Sequence, residues 1–310
     1  MPDCWPPGWS SCSPATSTRA DRVLGPLQEH LDDPDVLEVM VTAGRDIWTE
    51  SRDGMRRVGT VTPEQLAVCV ERIARMAGRR IDVASPVLDA RLSDGSRACV
   101  VLAPVSVGGT TVNIRKFPRR ILPLAAFGPA HVTDRVRGLV ANRANVVVSG
   151  ATSSGKTSLL SAVSAHFHPL DRVVVAEDTH ELRMHGTNVV HLQTRAATVE
   201  GIGRITLQDL VRTSLRLRPD RLVVGEVRGS EAVDMLLALG TGHRGCWSTV
   251  HAASAGDTVA RLVAMVVRDA PQWSADHVRD LVTSAIDAVV HVRRGPDGRR
   301  GIVDVVELRA

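Results

Sequence analysis

Tyrosine is absent from the 310-residue sequence, phenylalanine occurs three times, and aromatic residues make up 3% of the chain. The core must therefore be mostly aliphatic. The sequence also lacks the aromatic-interleaved basic patch on which single nucleic-acid strands stack. Lysine is almost missing: of 38 basic residues only Lys116 and Lys156 are lysines. The five cysteines (Cys4, Cys12, Cys69, Cys99, Cys246) are odd in number and far apart. No pair has metal-ligand spacing, so reduced thiols are expected rather than a disulfide framework or a zinc ribbon. No apolar run approaches the roughly 20 residues that span a bilayer. The opening MPDCWPPGWSSCSPATST has neither the basic region nor the apolar core of a signal peptide, and reads as a disordered tail over residues 1–18. A cytoplasmic protein is expected.

The remaining composition is ordinary for a globular protein, at 44% hydrophobic and 23% charged residues. The net charge of +4 is spread thinly, and the longest basic runs are pairs such as Arg119-Arg120 and Arg299-Arg300. These read as solvated surface, so nucleic acid is not established as a partner. The length suggests two domains. An N-terminal α+β domain is expected over 19–122, with a helix from Thr18 to Leu31. Strands in VLEVMVTA and RDIWTE, a hairpin through Asp53-Gly54 and a helix from Thr62 come next, the helix having Pro63 in its first turn and stopping at Gly78. Three prolines in FPRRILPLAAFGPA mark the boundary. From residue 123 to 310, short β-branched strands alternate with helices over 157–167, 206–217, 230–239, 254–267 and 274–286, and a hairpin ends the chain. That alternation predicts an α/β domain with a mostly parallel sheet covered on both faces. Leu236, Leu237 and Leu239 read as core.

The one lysine of this second domain stands in NVVVSGATSSGKTSLL. Gly150, Ala151, Thr152, Ser153, Ser154, Gly155, Lys156 and Thr157 fit G-x-x-x-x-G-K-[ST], after a strand and before a helix. Small residues let successive backbone N–H groups wrap a phosphate, and the helix N-terminus adds partial positive charge. Lys156 is a compact charge that a planar guanidinium cannot imitate. The Thr157 hydroxyl suits Mg²⁺, and Ser158 completes the expected nucleotide contacts. ATP and Mg²⁺ are the implied substrate and metal.

Hydrolysis also needs an acid at a neighbouring strand end. RVVVAEDTHEL offers Glu177 beside Asp178, and RLVVGEVRG offers Glu226, with Gly225 giving room for phosphate approach. In a parallel sheet both strand ends share the P-loop's edge. Either acid fits the role, and Glu226 is also a candidate for the metal. His251, after another strand-like stretch, is placed to sense the γ-phosphate. His166 and His168 lack further ligands for a metal.

These motifs, in this order, resemble the type II/type IV secretion traffic ATPases, with the Tad/Flp pilus assembly (TadA/CpaF-like) branch as the nearest likeness. The resemblance covers roughly residues 35–305. The Walker A motif of that family looks like Gly150 to Thr157, its Asp box like VVVAEDTHEL, its atypical Walker B like LVVGEVRG, and its His box like STVHAASAGDTVARL. Ala253 stands where the family often has asparagine. The likeness implies a RecA-like P-loop NTPase domain and an ATP-driven homo-hexamer, held peripherally at the inner membrane by a platform protein. It implies that Glu226 is the principal catalytic acid, that Glu177 assists, and that His251 couples nucleotide state to domain position. Arg97 and Arg115 would bring positive charge from the N-terminal domain or a neighbouring subunit. A conjugation-associated ATPase or a RecA-like DNA translocase is the alternative.

Overall fold

The computed structural model describes residues 24–51, 53–92, 94–116, 121–195, 197, 202–295 and 298–309. The chain separates into two units, Met1–Pro118 and Arg119–Ala310. The expected tail and the first part of the helix expected from Thr18 lie outside the described residues.

After Leu24 the chain makes a 3-10 turn at Gly25–Leu27 and a short helix α1 (Gln28–Asp32), not one long helix. Gly25 at φ 54° and Pro26, which has no N–H, break the hydrogen-bond ladder there. Strands β1 (Val36–Thr42), β2 (Asp46–Ser51) and β3 (Gly54–Thr60) form a meander. Helix α2 (Pro63–Met76) carries a capping box in which Thr62 Oγ1 accepts from the Gln65 N–H at 3.3 Å and Gln65 Oε1 accepts from the Thr62 N–H at 3.0 Å. Strands β4 (Val87–Arg91), β5 (Arg97–Val101) and β6 (Thr111–Arg115) complete an antiparallel sheet in the order β3-β2-β1-β6-β5-β4. Leu66, Val70 and Ile73 of α2 share one core with Val39, Val41, Ala98, Val100, Val112 and Ile114 of the sheet.

The second unit opens with α3 (Ala130–Ala141), β7 (Val146–Gly150) and α4 (Lys156–Ser164). Next come β8 (Val173–Glu177), β9 (Val189–Gln193), α5 (Leu207–Arg216) and β10 (Arg221–Val227). They lead to α6 (Glu231–Gly240), β11 (Trp247–His251), α7 (Ala255–Asp269) and α8 (Ala275–Ala285). The hairpin β12 (Ala288–Arg294) and β13 (Arg300–Glu307) ends the unit. The sheet order is β13-β12-β7-β11-β10-β8-β9, parallel throughout except for that hairpin. Every residue of β7 and β8 is buried. Alternation along them sends Val146, Val148 and Val175 to the face packed with α3 and α4, while Val147 and Ala176 join the face covered by α5 to α8. The α/β architecture is the one the sequence implies. Two local readings differ. The edge strand β9 was not anticipated, and Leu237 is 44% exposed while Leu236 and Leu239 are buried. Leu237 falls on the outer side of α6, whose partners lie on the other side.

Parallel pairing brings the C-terminal ends of β7, β11, β10 and β8 to one edge of the sheet, where all the candidate residues of this unit converge. Among the described residues no helix is long and apolar enough to cross a membrane.

Candidate nucleotide site

The chain leaves β7 at Gly150 and turns through five residues into α4. A Cβ on Gly150 would collide with the Val292 carbonyl oxygen of β12. Ser153 at φ 59° and Gly155 at φ 101° complete a curl that most side chains resist. Helix α4 has no side-chain cap. The hydroxyl of Ser154, 2% exposed, has no hydrogen-bond partner. An uncapped helix start and an orphaned buried hydroxyl are what a bound phosphate would satisfy. Lys156 is buried, and its ammonium donates to the carbonyls of Gly150 at 2.9 Å and Ala151 at 2.8 Å. It therefore lies folded against the loop it would share with a phosphate. A residue that sequence reasoning missed packs here as well: a Cβ on Gly155 would sit 2.9 Å from Arg300 Cδ.

His251 ends β11, in register with Gly150 at the end of β7. Lys156 Nζ lies 3.3 Å from its Nδ1. An ammonium can only donate, so Nδ1 accepts and the imidazole proton sits on Nε2. Nε2 lies 2.8 Å from Glu226 Oε1, but without hydrogen-bond alignment, which leaves that oxygen without a hydrogen-bond partner. Burial, the Lys156 ammonium and the guanidinium groups of Arg228 and Arg261 push the His251 pKa down against the opposing pull of Glu226. The imidazole is accordingly held in its neutral form. Glu226 Oε2 accepts from Arg228 Nη2 at 2.6 Å. Burial alone would raise this carboxyl, but Arg228, His251 and Lys156 together hold it below its ordinary value. The result is a continuous row, Lys156, His251, Glu226, Arg228. It borders a cavity of about 330 Å³ whose lining includes Thr152, Glu226, Arg228, His251 and Arg261. Arg228 was not singled out from sequence; its place two residues beyond Glu226 was the available signal.

Glu177 is arranged differently. Its Oε1 accepts from the N–H groups of Leu182 at 2.8 Å and Glu181 at 3.0 Å, and its Oε2 lies 3.2 Å from His180 Nδ1. Burial raises this carboxyl, and the bonds from His180, His191, Leu182 and Glu181 more than offset it. The space at Gly225, expected to admit phosphate, is filled by this side chain: a Cβ there would sit 2.8 Å from Glu177 Cγ. Asp178, the next residue, is pushed up by burial and by Glu231 and Glu226, against Arg228. It is therefore the acid that shares an electrostatic neighbourhood with Glu226. Beyond His251, Ala253 is exposed, and the next residue, Ser254, caps α7 by accepting from the Asp257 N–H at 3.1 Å.

In the N-terminal unit Arg97 and Arg115 are cross-strand partners on β5 and β6. Arg97 forms a two-point ion pair with Asp89, at 3.0 and 2.5 Å. Arg115 is exposed.

A glycine-rich phosphate-type loop after an inner strand of a mostly parallel sheet, with acids at the ends of two further strands of the same edge, defines a RecA-like P-loop fold preceded by a separate α+β unit. Comparison with known proteins narrows the class: the chain belongs to the type II/IV secretion system protein family, whose pattern matches residues 21–306. A protein of Mycobacterium tuberculosis whose name connects it with conjugal transfer is 37% identical over 92% of this chain and 84% of its own length. The type IV secretion system protein PtlH of Bordetella pertussis is 33% identical over 96% of this chain and 97% of its own. Among solved structures, the VirB11 ATPase of the Brucella suis type IV secretion system, in complex with sulphate, is 30% identical with a TM-score of 0.52, covering 91% of this chain and 92% of that one. The pilus retraction motor PilT with bound ADP shares the fold at 18% identity and a TM-score of 0.68, over 93% and 84% of the two chains.

Proposed function

We propose that this chain is an ATP-hydrolysing motor of a type IV secretion or conjugal-transfer machine, working as a homo-hexamer at the inner face of the cell membrane beside a platform protein. The observation that carries the proposal is the row from Lys156 through His251 to Glu226 at the mouth of a loop shaped for phosphate. Lys156 exchanges its loop carbonyls for phosphate oxygens. The N–H groups from Gly150 to Ser158 and the Ser154 hydroxyl hold the remaining phosphate charge. Glu226, kept ionised, is the acid proposed to accept a proton from or orient the attacking water, and its Oε1 is buried without a hydrogen-bond partner. Neutral His251 links the acid to the lysine, so that a change at the phosphate is felt at β11 and α7. Thr157 and Glu226 would hold Mg²⁺, which when bound would neutralise phosphate charge. Glu177 assists by fixing the β8 end beside Gly225. Of the two arginines proposed to supply outside charge, Arg115 is exposed and is the better candidate, while Arg97 is paired with Asp89.

The names of the relatives support a type IV secretion or conjugal machine over the Tad/Flp pilus branch. Phosphate release by the purified chain tests the activity. Glu226→Gln should bind ATP yet lose at least about tenfold in turnover, about 1.4 kcal/mol of barrier. Unchanged turnover would remove Glu226 from the reaction. Crosslinking in native membranes separates the machines: a relaxase or coupling protein supports conjugation, whereas prepilins and a pilus platform support the Tad/Flp reading.

A further inference from the structure

Glu177, His180 and His191 converge at the β8–β9 edge, and the nucleotide row uses neither histidine. The three donor atoms lie within 4.8 Å of one another. Glu177 Oε2 is 3.2 Å from His180 Nδ1 and 3.8 Å from His191 Nδ1. Zinc binds imidazole nitrogen and carboxylate oxygen at about 2.0–2.2 Å, so tetrahedral ligands stand about 3.3–3.5 Å apart. The two measured separations bracket that value.

The supports are equally specific. Parallel pairing sets His191 opposite Val175, two residues before Glu177 on the same face of β8, so the acid and the imidazole are diagonal neighbours across the two strands. Oε1 is tied down by two backbone N–H groups, which turns Oε2 toward the imidazoles. This is the outer-shell bonding that orients a metal-ligating carboxylate. The two rings stand edge to face, 4.4 Å apart at 74°. Glu177 is buried, while the side chains of His180 and His191 are 27% and 32% exposed, which leaves a side open for a water as fourth ligand.

We propose that Glu177, His180 and His191 form a binding site for a zinc-like divalent transition metal, separate from the Mg²⁺ of the nucleotide. The proposal stands independently of ATP hydrolysis. The ion would tie the loop after β8 to the edge strand β9 through Oε2, while the two backbone N–H groups keep Oε1.

The test is a Co²⁺ titration of the full chain, stripped with chelator and kept in excess Mg²⁺ so that hard oxygen sites are filled. The expected result is saturation at one Co²⁺ per chain, with the strong visible absorption of low coordination, displaced by Zn²⁺ and accompanied by a rise in Tm. His180→Ala and His191→Ala should each weaken Co²⁺ at least about tenfold, while His277→Ala on α8 leaves it unchanged. Non-saturating binding, or affinity unmoved by both ligand variants, overturns the site. A measurement on the unaltered chain guards against misfolded variants. Zn²⁺ should protect His180 and His191 from modification by diethylpyrocarbonate, read by mass spectrometry. Equal modification with and without Zn²⁺ means a carboxylate–imidazole cluster that binds no metal, and sinks the proposal.

Discussion

At the scale of single residues, the site turns on how few groups do several things. Lys156 is bonded to two loop carbonyls and one imidazole, so its ammonium is held at the loop and must exchange carbonyls for phosphate oxygens when a phosphate binds. Lys156→Ala should raise the Kd for ATP by at least about a hundredfold, about 2.8 kcal/mol, in a chain whose circular dichroism is unchanged; near-normal affinity would refute the loop assignment. His251 gives a second prediction, on pH. Its folded pKa lies below the ordinary 6.5 because burial and Lys156 oppose a second positive charge. Between the folded and unfolded pKa values the unfolded chain binds more protons. The stability this residue contributes is thus complete above 6.5 and is lost as pH falls through the folded value. Turnover should be flat above 6.5 and drop only below it, and His251→Gln, which cannot be protonated, should remove that acid limb. The motif from Gly150 to Thr157 is legible because phosphate capture prescribes its spacing, whereas Glu226 and Glu177 are legible only as strand ends, and the structure sets Glu226 beside His251 and turns Glu177 toward His180 and His191. Arg300 and His191 were not legible, because their contacts come from packing across the fold, and Arg228 and His180 were passed over although each stands within three residues of the acid it meets.

At the scale of elements, helix starts were readable wherever a side chain closes its own cap. Thr62, Thr206 and Ser254 all do so. Strand β9 was not readable: Val189 and Val190 are only partly buried, and the pairing that makes them a strand is supplied by β8. The same non-local logic holds the base of the sheet. At the start of β10, Arg221 donates to Asp171 at 2.5 Å and to the Val140 carbonyl at 3.1 Å, and its guanidinium carbon lies 4.5 Å from the centroid of the Phe167 ring. Arg143 also pairs with Asp171. Asp171 and Arg221 are 5% and 3% exposed. Removing one partner strands a buried charge, so Asp171→Ala should lower unfolding free energy by about 3–5 kcal/mol in denaturant titrations. A loss below about 1 kcal/mol would mean that water replaces the carboxylate. At the other end of β10, Gly225→Ala should displace Glu177, because the new methyl group meets its Cγ. It should lower both Tm and the Co²⁺ affinity of the neighbouring histidines.

At the scale of the whole molecule, the two units have separate cores and different sheet types. The division falls after residue 118, inside the proline-rich stretch 117–130, in which the boundary is expected from sequence after residue 122. Within the second unit the row at the sheet edge pairs one of its cations with the acid and leaves Lys156 as the cation proposed to meet phosphate. Arg228 is bonded to Glu226, and Lys156 to the loop and His251. Charge developing on a transferred phosphoryl group needs a further donor. We assign that donor to an arginine of an N-terminal unit in the proposed hexamer. Of the two candidate arginines, Arg97 is held at both ends by Asp89, whereas Arg115 is exposed at the end of β6. Arg115→Ala should therefore reduce turnover at least about tenfold in the assembled ring, with ATP affinity and Tm of the isolated chain unaltered. Arg97→Ala should mainly loosen the β4–β5 pair and leave turnover closer to normal. Mixing provides the decisive version of the experiment. If the arginine acts on a neighbour's site, rings of Arg115→Ala subunits combined with Glu226→Gln subunits should recover part of the lost activity, because some sites then join an intact acid to an intact arginine. No recovery at any mixing ratio would confine the arginine to its own chain.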